Sequence, residues 1–325
     1  MIVRWGLAEL PGVLDEVSIS RPLLISTERW RHLQLPVLDR FYGVRAHAEV
    51  AGVRAAREAA GGADGLIALG GGSAIDTAKA VSSQTGLPVV SIPTTYSGAE
   101  WTSGYGVRVR SERKKFGGGG ARTVAIIYEP ELTLGLPVRE SAGSAMNALA
   151  HCAEALYTAG RRAETDAQAL AGAPLIARWL PVVAGFGHDL DLEARRGLLA
   201  GAMHAGAALR AGAGLGHAIA QALGGRYGLL HGTMNAVSLP AALRFNSIAA
   251  VGELARFGRA IGHADPLARV SELAALAGPL RLRDYRVPRE DLSELAQATA
   301  DLSAAKANPR PAPPDAVLEL LEEIW

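Results

Sequence analysis

Two Ala/Leu-rich stretches in the C-terminal half of the chain carry polar side chains at helical spacing. Asn147 and His151 lie four residues apart in the first stretch, and His217, Gln221 and His231 occur in the second. Residues at i and i+4 of an α-helix project from the same face, one turn apart. Polar groups from two facing helices can form a metal site or a polar pocket inside a helical bundle. The pattern therefore predicts such a site, with Asn at one of its ligand positions.

A glycine-rich turn follows the clearest strand of the chain, Gly65-Leu-Ile-Ala-Leu-Gly70, and precedes a helix that starts near Ala74. Glycines let a backbone approach a ligand closely, and the N-terminus of a helix presents free N–H groups to an anion. The next strand ends at Thr94 and Thr95, which add hydroxyl groups at the same sheet edge. This combination favours a nucleotide site. A tight strand-to-helix turn with no ligand is the alternative, because the spacing matches neither G-x-G-x-x-G nor the P-loop.

The chain divides into two regions of different character. Strands alternate with helices as far as residue 137, which is typical of a parallel α/β sheet. The remaining sequence contains a series of Ala/Leu-rich helices without convincing strands. A chain of 325 residues exceeds one typical core. We therefore expect an α/β domain at residues 1–138 and a helical domain at residues 139–325.

Composition excludes several classes of function. The net charge is +1, from 33 basic and 32 acidic residues, so we expect no nucleic-acid partner. We also expect no membrane partner and a cytoplasmic location, because the N-terminus has no signal pattern and no stretch of 18 apolar residues occurs. Cys152 is the only cysteine, so no internal disulfide can form. It could be a metal ligand or a reactive thiol, but its direction on the helix favours a small core residue.

Several ordered motifs resemble the iron-containing alcohol dehydrogenase family and, within it, the maleylacetate reductases. They are G-G-G-S-A-I-D-T-A-K-A (70–80), I-P-T-T-Y-S-G-A-E-W-T (92–102), N-A-L-A-H-C-A-E-A-L-Y (147–157) and N-P-R-P (308–311). The resemblance covers most of the chain. It implies a Rossmann-like parallel sheet followed by an all-α domain, the architecture shared by dehydroquinate synthase-like and iron-containing alcohol dehydrogenase proteins. It also implies a homodimer, with an exposed first strand available for pairing.

The resemblance further implies that NADH or NADPH binds to the first domain. The residues it assigns to the cofactor are Gly71, Gly72, Ser73, Asp76, Thr94, Thr95 and, near the ribose, Lys115. Many family members end the second strand with an acidic residue that binds the adenosine ribose, and Thr27 occupies that position here. Because no carboxylate would repel a 2′-phosphate there, we expect NADPH to be tolerated.

The resemblance assigns the metal position to His151, His217 and His231, with Asn147 in place of an aspartate. An amide oxygen is a weaker ligand than a carboxylate, so the affinity for a divalent ion such as iron or zinc should fall. Three histidines and a water could still hold zinc. Maleylacetate reductases also carry Asn at this position and are thought not to need a metal. The remaining alternative is that these side chains are only buried polar core.

On the substrate side the resemblance assigns Tyr96, Asn147 and Gln221. Many family members carry a histidine where this chain has Gln221, and glutamine cannot exchange a proton near neutral pH. Proton transfer would then fall to water, a neighbouring histidine or the cofactor ribose. Arg226 could pair with a substrate carboxylate or lie on the surface.

We therefore expect an NAD(P)H-dependent oxidoreductase that reduces the carbonyl group of a small, carboxylated substrate. The resemblance points to maleylacetate, giving 3-oxoadipate. The catalytic residues would be His151, His217 and His231, stabilising the developing oxyanion. Alternatives are a reductase of another biosynthetic aldehyde or ketone, a dehydroquinate synthase-like lyase or cyclase, and a non-catalytic nucleotide sensor.

Overall fold

The computed structural model describes residues 1–109, 111–112, 114–185 and 191–325, with Lys114 and Lys115 described by their backbone alone. The chain forms two compact units. The first unit comprises Met1–Thr95 and Ala99–Thr133, and the second comprises Tyr96–Gly98 and Leu134–Trp325. The expected boundary between residues 138 and 139 differs from this division in two respects. Residues 134–138 belong to the second unit, and so does the short segment Tyr96–Gly98.

A six-stranded parallel sheet forms the centre of the first unit. Its strands are β1 (Ile2–Trp5), β2 (Pro22–Ile25), β3 (Asp39–Phe41), β4 (Gly65–Gly70), β5 (Pro88–Pro93) and β8 (Arg122–Tyr128), in the order β1-β8-β5-β4-β2-β3. The expected α/β fold is confirmed. Strands β4 and β5 are neighbours, with Gly70 paired to Pro93 in register. Their carboxyl ends therefore meet at one edge of the sheet, where an α/β protein binds its ligand.

Both faces of this sheet are buried, which explains the continuous apolar runs of its central strands. Alternate residues of β4 point to opposite faces. Ile67 and Leu69 pack with helix α1 (Leu10–Glu16), whereas Leu66 and Ala68 pack with helices α2 (Val50–Ala59) and α3 (Gly72–Thr85). The sheet is thereby a rigid support for the turns at its carboxyl edge.

A two-stranded antiparallel hairpin, β6 (Tyr105–Val109) and β7 (Lys114–Gly118), completes the first unit. The side chain of Lys79 on α3 is only 1% exposed and donates to the carbonyl oxygens of Ala99, at 2.7 Å, and Gly104. Lys79 also pairs with Asp76 at 3.1 Å, and the other oxygen of Asp76 accepts from the backbone N–H of Gly106 at 3.1 Å. One buried ammonium group therefore ties the segment after β5, and the start of the hairpin, to α3.

The second unit is helical, and none of its described residues forms a β-strand. Its helices are α4 (Val138–Ala155), α5 (Ala163–Ala184), α6 (Leu192–Ala208), α7 (Leu215–Tyr227), α8 (His231–Asn246), α9 (Val251–Ala260), α10 (Pro266–Ala275), α11 (Leu292–Ala300), α12 (Ser303–Lys306) and α13 (Pro314–Glu323). Helices α7, α8, α11 and α13 surround one apolar core. By length and composition alone α5 could cross a membrane, but it packs against α4 and α6. Core helices of soluble proteins meet the same criterion.

Lys79→Met should destabilise the protein. The substitution leaves the Asp76 carboxylate and two buried carbonyl oxygens without their cation, and breaking a buried pair in this way costs about 3 kcal/mol. Urea unfolding measures the change in the free energy of unfolding. The exposed Lys306→Met serves as the control and should change it by less than about 0.5 kcal/mol. Equal effects of the two substitutions would contradict the assigned role of Lys79.

Candidate active site

The centre of the site in the second unit is a short, buried hydrogen bond between Glu154 of α4 and His217 of α7. Oε2 of Glu154 lies 2.6 Å from Nδ1 of His217, and neither side chain is appreciably exposed. The same carboxylate accepts the backbone N–H groups of Gly214, at 2.7 Å, and Gly216, at 2.8 Å. The backbone N–H of His217 also donates to Oε1 of this carboxyl group, at 3.4 Å. Glu154 therefore caps the N-terminus of α7 by accepting its first N–H groups.

The glycines of the sequence G-A-G-L-G-H are required by this carboxylate. A Cβ atom on Gly214 would lie 3.0 Å from Cδ of Glu154, and one on Gly216 would lie 2.9 Å from Oε1. Any larger residue would push the backbone N–H groups away from the carboxylate. The two glycines thus explain how the start of α7 approaches α4 closely enough for His217 to meet Glu154.

Asn147 of α4 lies on the other side of the His217 ring. Its Nδ2 donates to the carbonyl oxygen of Ser97 at 2.9 Å, which fixes the orientation of the amide. Its Oδ1 accepts from Nδ2 of Asn235 at 2.9 Å and lies 3.2 Å from Nε2 of His217. Asn235 is itself oriented by a second bond from Nδ2 to the carbonyl oxygen of His231, at 3.1 Å. The atom that Asn147 directs at His217 is therefore the acceptor Oδ1.

Both ring nitrogens of His217 therefore face acceptors. Nδ1 faces the carboxylate of Glu154 and Nε2 faces the amide oxygen of Asn147. A neutral imidazole has one N–H and can satisfy only one acceptor, whereas an imidazolium satisfies both. The geometry therefore places a hydrogen-bond acceptor at each ring nitrogen of His217.

The other two histidines surround His217. The ring of His151 stacks on the ring of His217 with centroids 4.5 Å apart and planes inclined by 13°, and the ring of His231 lies 5.7 Å from His217. The pKa of His151 lies well below its usual value, because the ring is buried and because His217 and His231 disfavour a further positive charge. His151 is therefore neutral. Its buried Nδ1 has no hydrogen-bond partner among the described residues.

This arrangement does not fit a divalent metal ion. Lone pairs of imidazole lie in the ring plane, so two nearly parallel stacked rings cannot both direct a nitrogen at one ion about 2.1 Å away. Asn147 offers only a neutral amide oxygen, a weak ligand, and that oxygen already accepts from Asn235. Within the described part of the chain, no group of three or more His, Cys, Asp or Glu residues could hold a metal. Burial raises the pKa of the Cys152 thiol well above its usual value, so this neighbour is also a poor ligand.

The residues expected to bind the cofactor lie together in the first unit. Gly70 has a φ of 148° and ends β4, Gly71 is the N-cap of α3, and the backbone N–H of Thr94 donates to Gly70 O at 3.0 Å. A Cβ atom on Gly71 would lie 2.8 Å from Cγ2 of Thr95, so the two turns touch. The Ser73 hydroxyl accepts from the backbone N–H of His47 at 2.9 Å. The N–H groups of Ala74 and Ile75 donate to Gly71 O. Those of Gly72 and Ser73 precede the first acceptors of the helix, and this geometry fits the pyrophosphate of a dinucleotide.

Asp76, Lys115 and Arg226 were also predicted from the sequence as candidate site residues. Asp76 is engaged with Lys79 and the hairpin, so it supports the cofactor-side loops rather than facing outward. The Lys115 side chain lies outside the described residues. Arg226 pairs with Asp291 at 3.2 Å and with Glu294 at 2.6 Å, which favours the surface alternative over a substrate contact.

The two remaining substrate-side candidates both belong to the helical unit. Gln221 follows His217 by one turn on α7 and is partly buried. Tyr96 is completely buried, and its hydroxyl lies 3.3 Å from Nη1 of Arg195. The hydroxyl group of Tyr96 therefore contacts the buried side chain of Arg195.

Sequence reasoning missed Glu154, Asn235 and Arg195. The first two could have been found, because Glu154 follows His151 by three residues and Asn235 follows His231 by four, so each shares a helix face with a predicted residue. Arg195 gave no signal, since it stands beside Arg196 in a polar stretch that is typical of a helix surface. Only the structure shows that its side chain is buried.

Glu154→Gln should weaken both the fold and the site. The glutamine has nearly the same shape but presents an NH2 group to N–H donors, and it removes the charge that balances His217. We expect a loss of roughly 3 kcal/mol in the free energy of unfolding by urea. Glu140→Gln, at an exposed position of the same helix, is the matched control and should have little effect. A Glu154→Gln protein as stable as the control would refute the role given to this carboxylate.

Comparison with known proteins gives a consistent family. The model of the iron-containing alcohol dehydrogenases matches residues 7–128, and that of the C-terminal region of the Fe-containing alcohol dehydrogenase family matches residues 141–325. The maleylacetate reductase of Burkholderia cepacia is 40% identical over 276 residues, covering 81% of this chain and 74% of that protein. That of Pseudomonas knackmussii is 35% identical over 334 aligned positions, covering 98% and 93%. The crystal structure of maleylacetate reductase from Agrobacterium tumefaciens superposes with a TM-score of 0.89 at 30% identity, covering 100% of this chain and 95% of that one. The chain therefore belongs to the iron-containing alcohol dehydrogenase family of oxidoreductases.

Proposed function

We propose that this protein is an NAD(P)H-dependent maleylacetate reductase that forms 3-oxoadipate without a catalytic metal. The observation that carries the proposal is the position of His217, whose Nδ1 lies 2.6 Å from a Glu154 oxygen and whose Nε2 lies 3.2 Å from Oδ1 of Asn147. Relatives named maleylacetate reductase at 40% and 35% identity support the choice of substrate. The lyase alternative would need an intact carboxylate ligand at position 147, where this chain has asparagine.

The first unit would hold the cofactor and the second unit the substrate. Gly71, Gly72 and Ser73 at the start of α3, with Thr94 and Thr95 at the end of β5, would bind the pyrophosphate. Thr27, just after β2, places no carboxylate where an adenosine ribose would be expected, so we propose that both NADH and NADPH are accepted. When bound, the reduced nicotinamide supplies the hydride. We further propose a homodimer, since β1 occupies one edge of the sheet.

The charge that must be stabilised lies on an oxygen atom. 3-Oxoadipate retains the ketone of maleylacetate, so the hydride is added to the carbon–carbon double bond conjugated with that ketone. Negative charge then builds on the ketone oxygen, as it would in the reduction of a simple carbonyl. A preorganised cation in a buried site stabilises such an oxyanion strongly. We assign this task to Nε2–H of His217, with the amide of Gln221, one turn along α7, as a second donor.

The same contacts identify the group that supplies the proton. His217 releases its Nε2 proton to the enolate oxygen and becomes a neutral imidazole that keeps Nδ1–H on Glu154. The resulting enol returns to the ketone when its carbon takes a proton from water and its O–H proton passes back to Nε2 of His217, so that one hydride and one proton are added overall. The neutral, stacked His151 and the nearby His231 shield the ring from water. Gln221 needs no acid–base role in this scheme, which accounts for glutamine at that position.

The substrate assignment is tested by mixing the purified protein with maleylacetate and either NADH or NADPH. We expect the absorbance of the reduced nicotinamide to fall with both cofactors and 3-oxoadipate to appear in equal amount. A panel of simple aldehydes and ketones is the comparison. Turnover of an aldehyde in preference to maleylacetate would contradict the substrate, and no turnover of any compound would contradict the proposed reaction.

The role of His217 is tested in the same assay with His217→Gln. We expect kcat to fall by roughly 100- to 10,000-fold, the usual contribution of a positioned acid, with the KM for the cofactor nearly unchanged. His32→Gln, at an exposed position in the first unit, is the control and should retain full activity. Retention of activity by His217→Gln would exclude His217 as the proton donor.

Metal independence is tested directly. After incubation with Fe²⁺ or Zn²⁺ and removal of free ions, elemental analysis should find far less than one ion per chain, and treatment with a chelator should leave kcat unchanged. The physical reason is that the stacked rings of His151 and His217 cannot both direct a nitrogen at one ion, and that Asn147 offers only an amide oxygen that already accepts from Asn235. Stoichiometric metal together with loss of activity on chelation would overturn this part of the proposal.

A further inference from the structure

Arg108, on strand β6 of the first unit, is a partly buried cation that the ion pairs among the described residues of that unit do not include. Its Nε is buried and has no hydrogen-bond partner in the described part of the chain. The backbone of Glu49 forms a bridge with that of Arg108, but the Glu49 carboxylate pairs with Arg45 at 3.7 Å. The carboxylate of Asp76 pairs with Lys79. Buried polar groups normally have partners, so Arg108 is a candidate for binding an anionic ligand.

Strand β6 runs along helix α3 toward the N-terminus of that helix. At the start of the strand, the Tyr105 hydroxyl lies 2.8 Å from the hydroxyl of Ser83, which is near the C-terminal end of α3. One residue later, the backbone N–H of Gly106 donates to Asp76, which is near the N-terminal end of α3. The strand therefore leads from one end of α3 to the other, and Arg108 follows at the end where the glycine turn lies.

Two hydrogen bonds connect the backbone of Arg108 to the first turn of α3. The N–H of Arg108 donates to the carbonyl oxygen of His47 at 3.2 Å, and the N–H of His47 donates to the Ser73 hydroxyl at 2.9 Å. Val107 packs against the apolar core that α2 and α3 form with the sheet. Successive side chains of a strand point to opposite faces, so Arg108 is on the face of β6 directed away from that core. Arg108 therefore combines a position close to the glycine turn with a side chain outside the apolar core.

The electrostatics of this region favour an anion. The N-terminus of α3 carries the positive end of the helix dipole, and the N–H groups of Gly72 and Ser73 precede the first acceptors of the helix. A guanidinium group close to a positive helix end is repelled by it, and an anion between the two is attracted by both. A phosphate group suits this position, because the planar fork of an arginine binds two of its oxygen atoms at once.

We propose that Arg108 binds the pyrophosphate of NADH or NADPH and supplies a charged contact that the glycine turn lacks. The inference rests on the proposed function, because it concerns the cofactor of that reaction. The turn itself offers only uncharged donors, which are the backbone N–H groups of Gly71–Ser73 and the hydroxyl groups of Ser73, Thr94 and Thr95. Since the pyrophosphate is common to both cofactors, Arg108 should strengthen the binding of NADH and NADPH equally.

Binding measurements on the full chain test the inference. The fluorescence of NADH and NADPH gives their Kd values, and calorimetry gives that of ADP-ribose, which has the pyrophosphate but no nicotinamide. We expect Arg108→Met to raise all three Kd values by roughly 10- to 100-fold, the usual effect of losing a charge-assisted hydrogen bond. Arg108→Lys keeps the charge without the fork and should have a smaller effect. Arg54→Met, at an exposed position of α2, is the matched control and should keep each Kd within about twofold.

Two further measurements distinguish an ionic contact from a loss of structure. The Kd of ADP-ribose should rise with NaCl concentration more steeply for the native protein than for Arg108→Met, because salt screens an ionic contact. Without cofactor the two proteins should unfold at the same temperature, and NADH should raise that temperature more for the native protein. If Arg108→Met unfolds at a lower temperature without cofactor and shows the native salt dependence, Arg108 has only a structural role and the inference is overturned.

The outcomes also separate this inference from the proposed function. A loss of affinity limited to NADPH would place Arg108 at the 2′-phosphate and overturn the pyrophosphate assignment. Unchanged Kd values for all three ligands would exclude Arg108 from the cofactor site. These measurements need no maleylacetate, so an inability to reduce that compound would leave the inference standing. A native protein that binds neither cofactor would contradict the proposed function and the inference together.

Discussion

The buried carboxylate of Glu154 is the interaction on which the helical unit and its site both depend. It accepts the backbone N–H groups at the N-terminus of α7, lies 2.6 Å from Nδ1 of His217 and requires glycine at positions 214 and 216. A buried carboxyl group is stable only when its oxygens have hydrogen-bond partners, and these contacts supply them. Because the same atoms that cap the helix also orient the imidazole, the fold and the chemistry cannot be changed independently at this point.

Asparagine at position 147 gives the site an uncharged hydrogen-bond acceptor. Its amide oxygen accepts from Asn235 and lies 3.2 Å from Nε2 of His217, whose other nitrogen faces Glu154. An aspartate at position 147 would add a second carboxylate to this buried group of side chains and call for a further cation.

In each unit a buried cation among the described residues holds segments that lie outside the α-helices and β-strands. In the first unit, Lys79 binds the carbonyl oxygens of Ala99 and Gly104. In the second unit, Arg195 binds Leu136 and Tyr96. Loop carbonyls need hydrogen-bond donors when they are buried, and a single cation with several N–H groups can satisfy more than one of them. Lys79 thereby positions the backbone at Ala99 and Gly104, and Arg195 positions Tyr96 at the start of the segment beside His151.

The sequence alone determined the features that depend on local pattern. The apolar run of β4, the glycine turn after it and the i, i+4 spacing of Asn147 and His151 are periodic or conformational signals, and the structure contains all of them. The sequence did not predict the β6–β7 hairpin, because K-K-F-G-G lacks the alternation of a strand. The sequence also could not show that Tyr96–Gly98 belongs to the helical unit or that Arg195 is buried. These features depend on contacts between residues far apart in the chain, whose geometry no local pattern records, and only the tertiary structure decided them.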